Sequence, residues 1–207
     1  MRRSTIPNAW NCILIALCTA FASGQSASEK YISISGNWQF KSESDQKWME
    51  AKVPRDVHLD LLANNVIDDP LYADNAAKCE WIEEKTWIYK KNFTVPERFI
   101  RDRVELVFRG LDLDAEIYLN GLKVAEHHNA FVPCVVDVTE RLRKAGNELI
   151  VHIDAGKKRV KDKPFRKYYW KDTPSFRRRK MRAWMRKPQF VFGYDWAPYL
   201  PTCGILT

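Results

Sequence analysis

Apolar and polar side chains alternate most clearly between Trp87 and Val95, where Trp87, Tyr89, Phe93 and Val95 fall on one face and Lys90, Asn92 and Thr94 on the other. A period of two belongs to a strand with one buried face. Residues 104–108 form a short β-branched and aromatic run, and residues 115–119 set Ala115, Ile117 and Leu119 inward against Glu116 and Tyr118 outward. Asn120-Gly121 follows. This pair tolerates the positive φ that a type I′ hairpin needs at both central positions, so residues 122–125 are the return strand. Further runs at 131–138 and 149–153, with Gly146-Asn147 turning between them, keep the spacing of a sandwich. Only residues 57–64 and 139–144 read as helical. The pattern predicts an all-β chain, a two-sheet sandwich or jelly roll.

A chain of 207 residues, 45% hydrophobic and 13% aromatic, can bury one core, so a single domain is expected. Its first residues read differently. Arg2 and Arg3 precede an apolar stretch over 12–21, with small residues at Ala20 and Ala22, the make-up of a signal peptide over residues 1–22. The stretch is shorter than the roughly 20 apolar residues of a membrane span, and no later segment qualifies. Residues 23–207 are then the domain, sent along the secretory route to be lysosomal or secreted. Cys79, Cys134 and Cys203 remain, either as one disulfide with a free thiol or as buried reduced cysteines. Asn92-Phe93-Thr94 makes Asn92 a glycosylation candidate.

Charge is unevenly placed. The whole chain nets +8, yet residues 155–187 hold fifteen Lys and Arg against Asp162 and Asp172, a surplus of thirteen that leaves the remainder acidic. Phe165, Tyr168, Tyr169, Trp170, Phe176 and Trp184 are interleaved with these cations, as on single-strand nucleic-acid surfaces. A solvated insertion in a sandwich loop has the same composition. A secreted chain does not meet nuclear or cytosolic nucleic acid, so a basic insertion is the expected reading.

Asp56, His58 and Asp60 have the D-x-H-x-D spacing of metal ligands on a strand face, but Val57, Leu61 and Leu62 follow a helical period, which predicts capping instead. His127-His128, in a polar turn after the hairpin, has no third ligand nearby in sequence. Glu83 and Glu84 are adjacent and on a strand would face opposite sides. There is no Gly-rich phosphate loop or nucleophile elbow. No metal, cofactor or catalytic residue is expected in this chain.

The stretch FGYDWAPYLPTCGI, residues 192–205, sets Asp195 between Tyr194 and Trp196, with Gly193 before and Pro198 after. That is the composition of a shaped surface. Other segments run with it: residues 35–40 (SGNWQF), VPRDVHLDLLANNVIDDPLYADN over 53–75, Trp81, WIYKKNF, Asn120-Gly121, HNAF over 128–131, DVTERL over 137–142, and Arg186, Lys187 and Gln189. In this order they resemble the N-terminal domain of the β-mannosidases of glycoside hydrolase family two. The likeness covers nearly all of residues 35–205 except the basic insertion at 155–187.

The resemblance implies a galactose-binding-like jelly-roll β-sandwich, here incomplete at its C-terminus. It implies substrate-binding roles for Asp195, on hydroxyls of a terminal mannose, and for Trp196 beside it, with a β-mannoside-containing oligosaccharide as partner. The family's two catalytic glutamates sit on a following (β/α) barrel, expected outside this chain, so the chain alone is expected to be inactive as a retaining glycosidase. Arg55 and Ala197 stand where the family has glycine, and Leu206 where it has Trp. On the residues alone, Asp195 as a turn cap with Trp196 in the core stays open. So do a stand-alone lectin-like module and a secreted polyanion-binding protein.

Overall fold

Alternate burial along four neighbouring strands builds the main sheet. In β1 (Gly36–Ser42) Trp38 and Phe40 are buried, in β4 (Trp87–Phe93) Trp87 and Tyr89, in β7 (Asp114–Leu119) Ala115, Ile117 and Leu119, and in β10 (Asn147–Asp154) Leu149, Val151 and Ile153. With β2 (Met49–Val53) and β8 (Leu122–His127) at the edges, these strands form a six-stranded antiparallel sheet in the order β2-β1-β4-β10-β7-β8. The register places Phe40 opposite Tyr89, Tyr89 opposite Val151 and Val151 opposite Ile117, so one face carries a continuous apolar row. The computed structural model describes residues 31–100, 103–164 and 180–206. The predicted leader over 1–22 and residues 165–179 of the basic segment lie outside the described residues.

Shorter ladders supply the opposing layer. β3 (Arg55–Asp56), β13 (Gly204–Ile205) and β6 (Leu111–Asp112) pair in the order β3-β13-β6, and β5 (Glu105–Phe108) pairs with β9 (Cys134–Asp137). Phe108, Leu111, Cys134, Cys203 and Ile205 from these ladders, with Val57 and Leu61 of helix α1 (Val57–Ala63), join the main-sheet aromatics in one buried cluster. The fold is the expected β-sandwich, with its sheets not closed into a barrel. Phe40 lies 5.5 Å from Tyr89 and 5.8 Å from Trp87 between ring centroids. Each buried polar ring atom finds a partner: Trp38 Nε1 donates to Ile34 O at 2.9 Å, Trp87 Nε1 to Ile82 O at 3.2 Å, and Tyr89 OH to Asp60 Oδ2 at 3.2 Å.

The Asn120-Gly121 hairpin forms as expected, with φ of 54° and 82° at its two loop residues. Asn120 also latches the next turn, its Nδ2 donating to Arg141 O at 2.7 Å and to Asn147 Oδ1 at 3.0 Å. Residues 139–144 are not a helix. Asp137 Oδ1 accepts from the N–H of Thr139 at 3.0 Å and from its hydroxyl, which closes a single turn at Val138 before Gly146 reverses the chain.

The D-x-H-x-D group caps a helix. Asp56 Oδ1 accepts from the His58 N–H at 2.8 Å at the start of α1, and its Oδ2 accepts from the Cys203 N–H at 2.7 Å. Glu83 and Glu84 lie on a 3-10 turn (Glu80–Glu84) rather than a strand, and both reach Lys157 Nζ. His127 ends β8, with Nε2 2.6 Å from Asn129 O, while His128 Nδ1 sits 3.0 Å from Asp114 Oδ1. The three cysteines are free and buried, the second of the two expected arrangements.

The basic segment is not a solvated insertion throughout. Ala155, Val160, Met185 and Lys187 at its two ends are all buried, and Arg159 holds Asp114 through contacts of 2.8 and 2.9 Å. Among the described residues no helix is long and apolar enough to cross a membrane.

Candidate functional site

A two-stranded hairpin, β11 (Phe192–Tyr194) and β12 (Ala197–Tyr199), carries Asp195 and Trp196 as its two loop residues. Its foot is fixed from several sides. Phe192 is 1% exposed and packs with Leu113, Val160, Met185 and Val191 in a second buried cluster. Phe192 meets Tyr199 edge-on at 6.2 Å, and Tyr199 OH donates to the Glu83 carboxylate, 2.9 Å from Oε2 and 3.1 Å from Oε1. Glu83 is itself buried and held by Lys157 at 3.2 Å, and the Leu200 N–H donates to Val191 O at 2.8 Å.

The tip contrasts with the foot. Asp195 is exposed, and Trp196 is 92% exposed, so the alternative that places Trp196 in the core does not hold. Asp195 adopts φ of 46°, a left-handed conformation that Asp and Asn reach more readily than other side-chain-bearing residues. No hydrogen bond or ion pair ties its carboxylate to another described residue. A free carboxylate can accept from two hydroxyls at once, and the indole beside it offers a broad apolar face.

The two departures from glycine are accommodated. Ala197 lies on β12 outside the positive-φ region. Arg55 sits on β3 with Nη1 3.6 Å from Asp60 Oδ1.

Buried carboxylates of the domain are committed elsewhere. Asp60 accepts from the Lys52 N–H at 3.1 Å as well as from Tyr89, and burial raises its pKa to about 6. Asp112 Oδ1 lies 2.8 Å from Lys187 Nζ, and its Oδ2 accepts from the Thr202 hydroxyl. These groups hold the fold. The hairpin tip can bind and orient a hydroxylated ligand, whereas glycosidic cleavage takes two carboxyls flanking one bond.

Asp195, Trp196 and Asn92 are thus placed as follows: the first two share an exposed tip, and Asn92 is exposed on β4, with Thr94 exposed beyond it. Sequence reasoning missed the groups that position the tip, Tyr199, Glu83 and Lys157. Their bonds cross long stretches of chain, and no local pattern marks them.

Comparison with known proteins places this geometry in a family. Residues 38–207 match the glycosyl hydrolase 2 galactose-binding domain-like family. Beta-mannosidase B of Thermothelomyces thermophilus is 35% identical over 181 residues, which cover 84% of this chain and 20% of that protein. A probable beta-mannosidase of Caenorhabditis elegans is 28% identical over 182 residues, with the same coverage. The crystal structure of a beta-D-mannosidase from Dictyoglomus thermophilum superposes with a TM-score of 0.76 at 38% identity, covering 85% of this chain and 22% of that one. The chain spans about a fifth of the length of the curated relatives it matches. A β-sandwich core, an anchored aromatic-Asp-Trp hairpin and a family match over residues 38–207 agree, and the chain belongs to the glycosyl hydrolase 2 galactose-binding domain-like family.

Proposed function

We propose that this chain is the sugar-recognition domain of a β-mannosidase that removes terminal β-D-mannose from oligosaccharides and glycoproteins, with Asp195 holding mannose hydroxyls and Trp196 covering the ring. The carrying observation is the hairpin: a foot immobilised by Phe192, Tyr199 and Glu83, and a tip whose carboxylate and indole are left for something outside the domain. A charge-assisted acceptor on a rigid support recognises hydroxyls more sharply than one on a mobile loop. The relatives' greater length supports a catalytic part elsewhere in the full protein, which supplies the two carboxyls and faces the tip.

The chain enters the secretory route through residues 1–22 and acts in a lysosomal or secreted setting, glycosylated at Asn92. The exposed, outward-facing Asn92 and Thr94 leave room for the sugar.

Replacing the matched domain of the Dictyoglomus thermophilum enzyme with residues 32–206 tests the reading. A chimera that cleaves an aryl β-mannoside supports it. A soluble, cooperatively folding chimera without turnover contradicts it.

A further inference from the structure

A groove of about 530 Å³ opens next to the hairpin foot, lined by Phe131, Trp184, Arg186 and Gln189, with Met185 beneath. Met185 belongs to the same buried cluster as Phe192, so groove and hairpin share a support. Backbone stitches the two walls together: the Ala130 N–H donates to Arg186 O at 2.9 Å, and Asn129 bridges Arg186 in parallel. The Phe131 N–H donates to Asn129 Oδ1 at 3.0 Å, and the Phe131 ring remains 62% exposed.

The groove's polar groups are fixed as well. Gln189 Nε2 donates to Lys187 O at 3.0 Å and more loosely to Met185 O at 3.4 Å and Arg182 O at 3.3 Å. These bonds leave its Oε1 as the free end. Trp184, 44% exposed, has Lys163 Nζ 5.8 Å from its ring centroid. Arg186 is exposed and makes no ion pair among the described residues.

We propose that this groove is a second carbohydrate subsite, taking a sugar further along an oligosaccharide whose terminal mannose is held by Asp195. The proposal rests on the reading of Asp195 given above. Two aromatic faces suit the C–H surfaces of a pyranose, while a guanidinium and an amide oxygen suit its hydroxyls. A purely apolar occupant would leave Arg186 and Gln189 without partners. A polyanion calls for several cations aimed inward, but of the two cations among the described lining residues Lys187 is fully buried on Asp112, which leaves Arg186. Gln189 and Asp195 are six residues apart in the chain, at most about 20 Å, so a short oligosaccharide reaches both.

Titration of the purified chain with β-1,4-mannotriose and with methyl β-mannoside, followed by tryptophan fluorescence and calorimetry, tests the subsite. The expected wild-type result is at least about tenfold tighter binding of the trisaccharide, roughly the gain of one further well-contacted group. Trp184→Ala and Phe131→Ala each remove most of that margin and leave methyl β-mannoside binding unchanged. Trp184→Phe, which keeps an aromatic face, restores it. Asp195→Asn weakens both ligands.

Equal wild-type affinities, no wild-type binding of either ligand, or a margin that survives both aromatic-to-Ala changes overturns the subsite. A sulfated oligosaccharide that binds more tightly than the trisaccharide, and loses its hold as salt rises, also overturns it in favour of a polyanion site. If Asp195→Asn alters neither ligand while Trp184→Ala still removes the margin, the groove stands and the reading of Asp195 falls.

Discussion

Lys187 Nζ stands 2.8 Å from Asp112 Oδ1, with both side chains at 2% exposure or less. Lys187 also donates to the Thr202 carbonyl, and the Thr202 hydroxyl donates to Asp112. The contact joins the segment before the hairpin to β6 and to the approach of β13. A lysine from the most basic stretch of the chain is thus the most enclosed cation among the described residues. Burial pushes the Asp112 carboxyl up, while Lys187 and Thr202 pull it back down.

Removing one partner strands the other charge. Lys187→Met is expected to cost about 3 to 5 kcal/mol in denaturant unfolding, and Asp112→Asn combined with Lys187→Met to cost clearly less than the sum of the single changes. Additive costs would show that the two groups do not act as a pair.

Asp60 gives the fold a pH dependence of definite sign. Its folded pKa of about 6 lies above the ordinary 3.8, because desolvation outweighs the bonds from Lys52 and Tyr89 and the charge of Arg55. The folded state therefore holds the proton more tightly than the unfolded chain. Its contribution is fully present below pH 3.8 and is lost as pH rises through about 6, a swing of about 3 kcal/mol. Between pH 4 and 7 the unfolding free energy of wild type should fall relative to that of Asp60→Asn by about 2 to 3 kcal/mol, and parallel curves or a relative rise would refute it.

Gly204 occupies the middle strand of the β3-β13-β6 ladder, where an added Cβ would stand 2.4 Å from the Arg55 carbonyl oxygen. The obstacle is backbone, which cannot swing aside. Gly204→Ala is expected to cost about 3 kcal/mol, at the upper end for overpacking, and to lower the thermal midpoint. An unchanged midpoint would mean that β13 is not seated in this sheet.

Cys79, Cys134 and Cys203 are buried and free, and burial raises all three thiol pKa values, that of Cys203 most strongly. Native protein should react slowly with a thiol reagent. Unfolded, unreduced protein should then release three thiols if residues 1–22 have been removed, and five if Cys12 and Cys18 remain. A single titratable thiol in the processed chain would reveal a disulfide.

Strands with one buried face were legible because each residue pair reports its own environment: Trp87/Tyr89 and Ala115/Ile117/Leu119 are buried as their alternation predicts. Asn120-Gly121 was legible because the turn's φ values select those residues. The turn at Val138 was misread as helix, since its Asp137-Thr139 bonds are equally local and end after one turn. At the hairpin, the aromatic-Asp-Trp sequence marked the exposed tip, while the anchor between Tyr199 and Glu83 crosses most of the domain and leaves no periodic trace. Lys187 was hidden for a related reason: composition counts charges and says nothing of where each is enclosed.

The most direct test of sugar recognition by the tip is Asp195→Asn in the chimera with the Dictyoglomus thermophilum enzyme, with thermal midpoint and kcat/KM measured on one preparation. Asparagine keeps the shape and accepts the positive φ of this position, so the turn is preserved. What is lost is a charged acceptor for hydroxyls. The account predicts an unchanged midpoint and kcat/KM for an aryl β-mannoside lowered about ten- to hundred-fold, or about 1.5 to 3 kcal/mol. A lowered midpoint with unaltered kcat/KM would contradict it and leave Asp195 as a turn residue only.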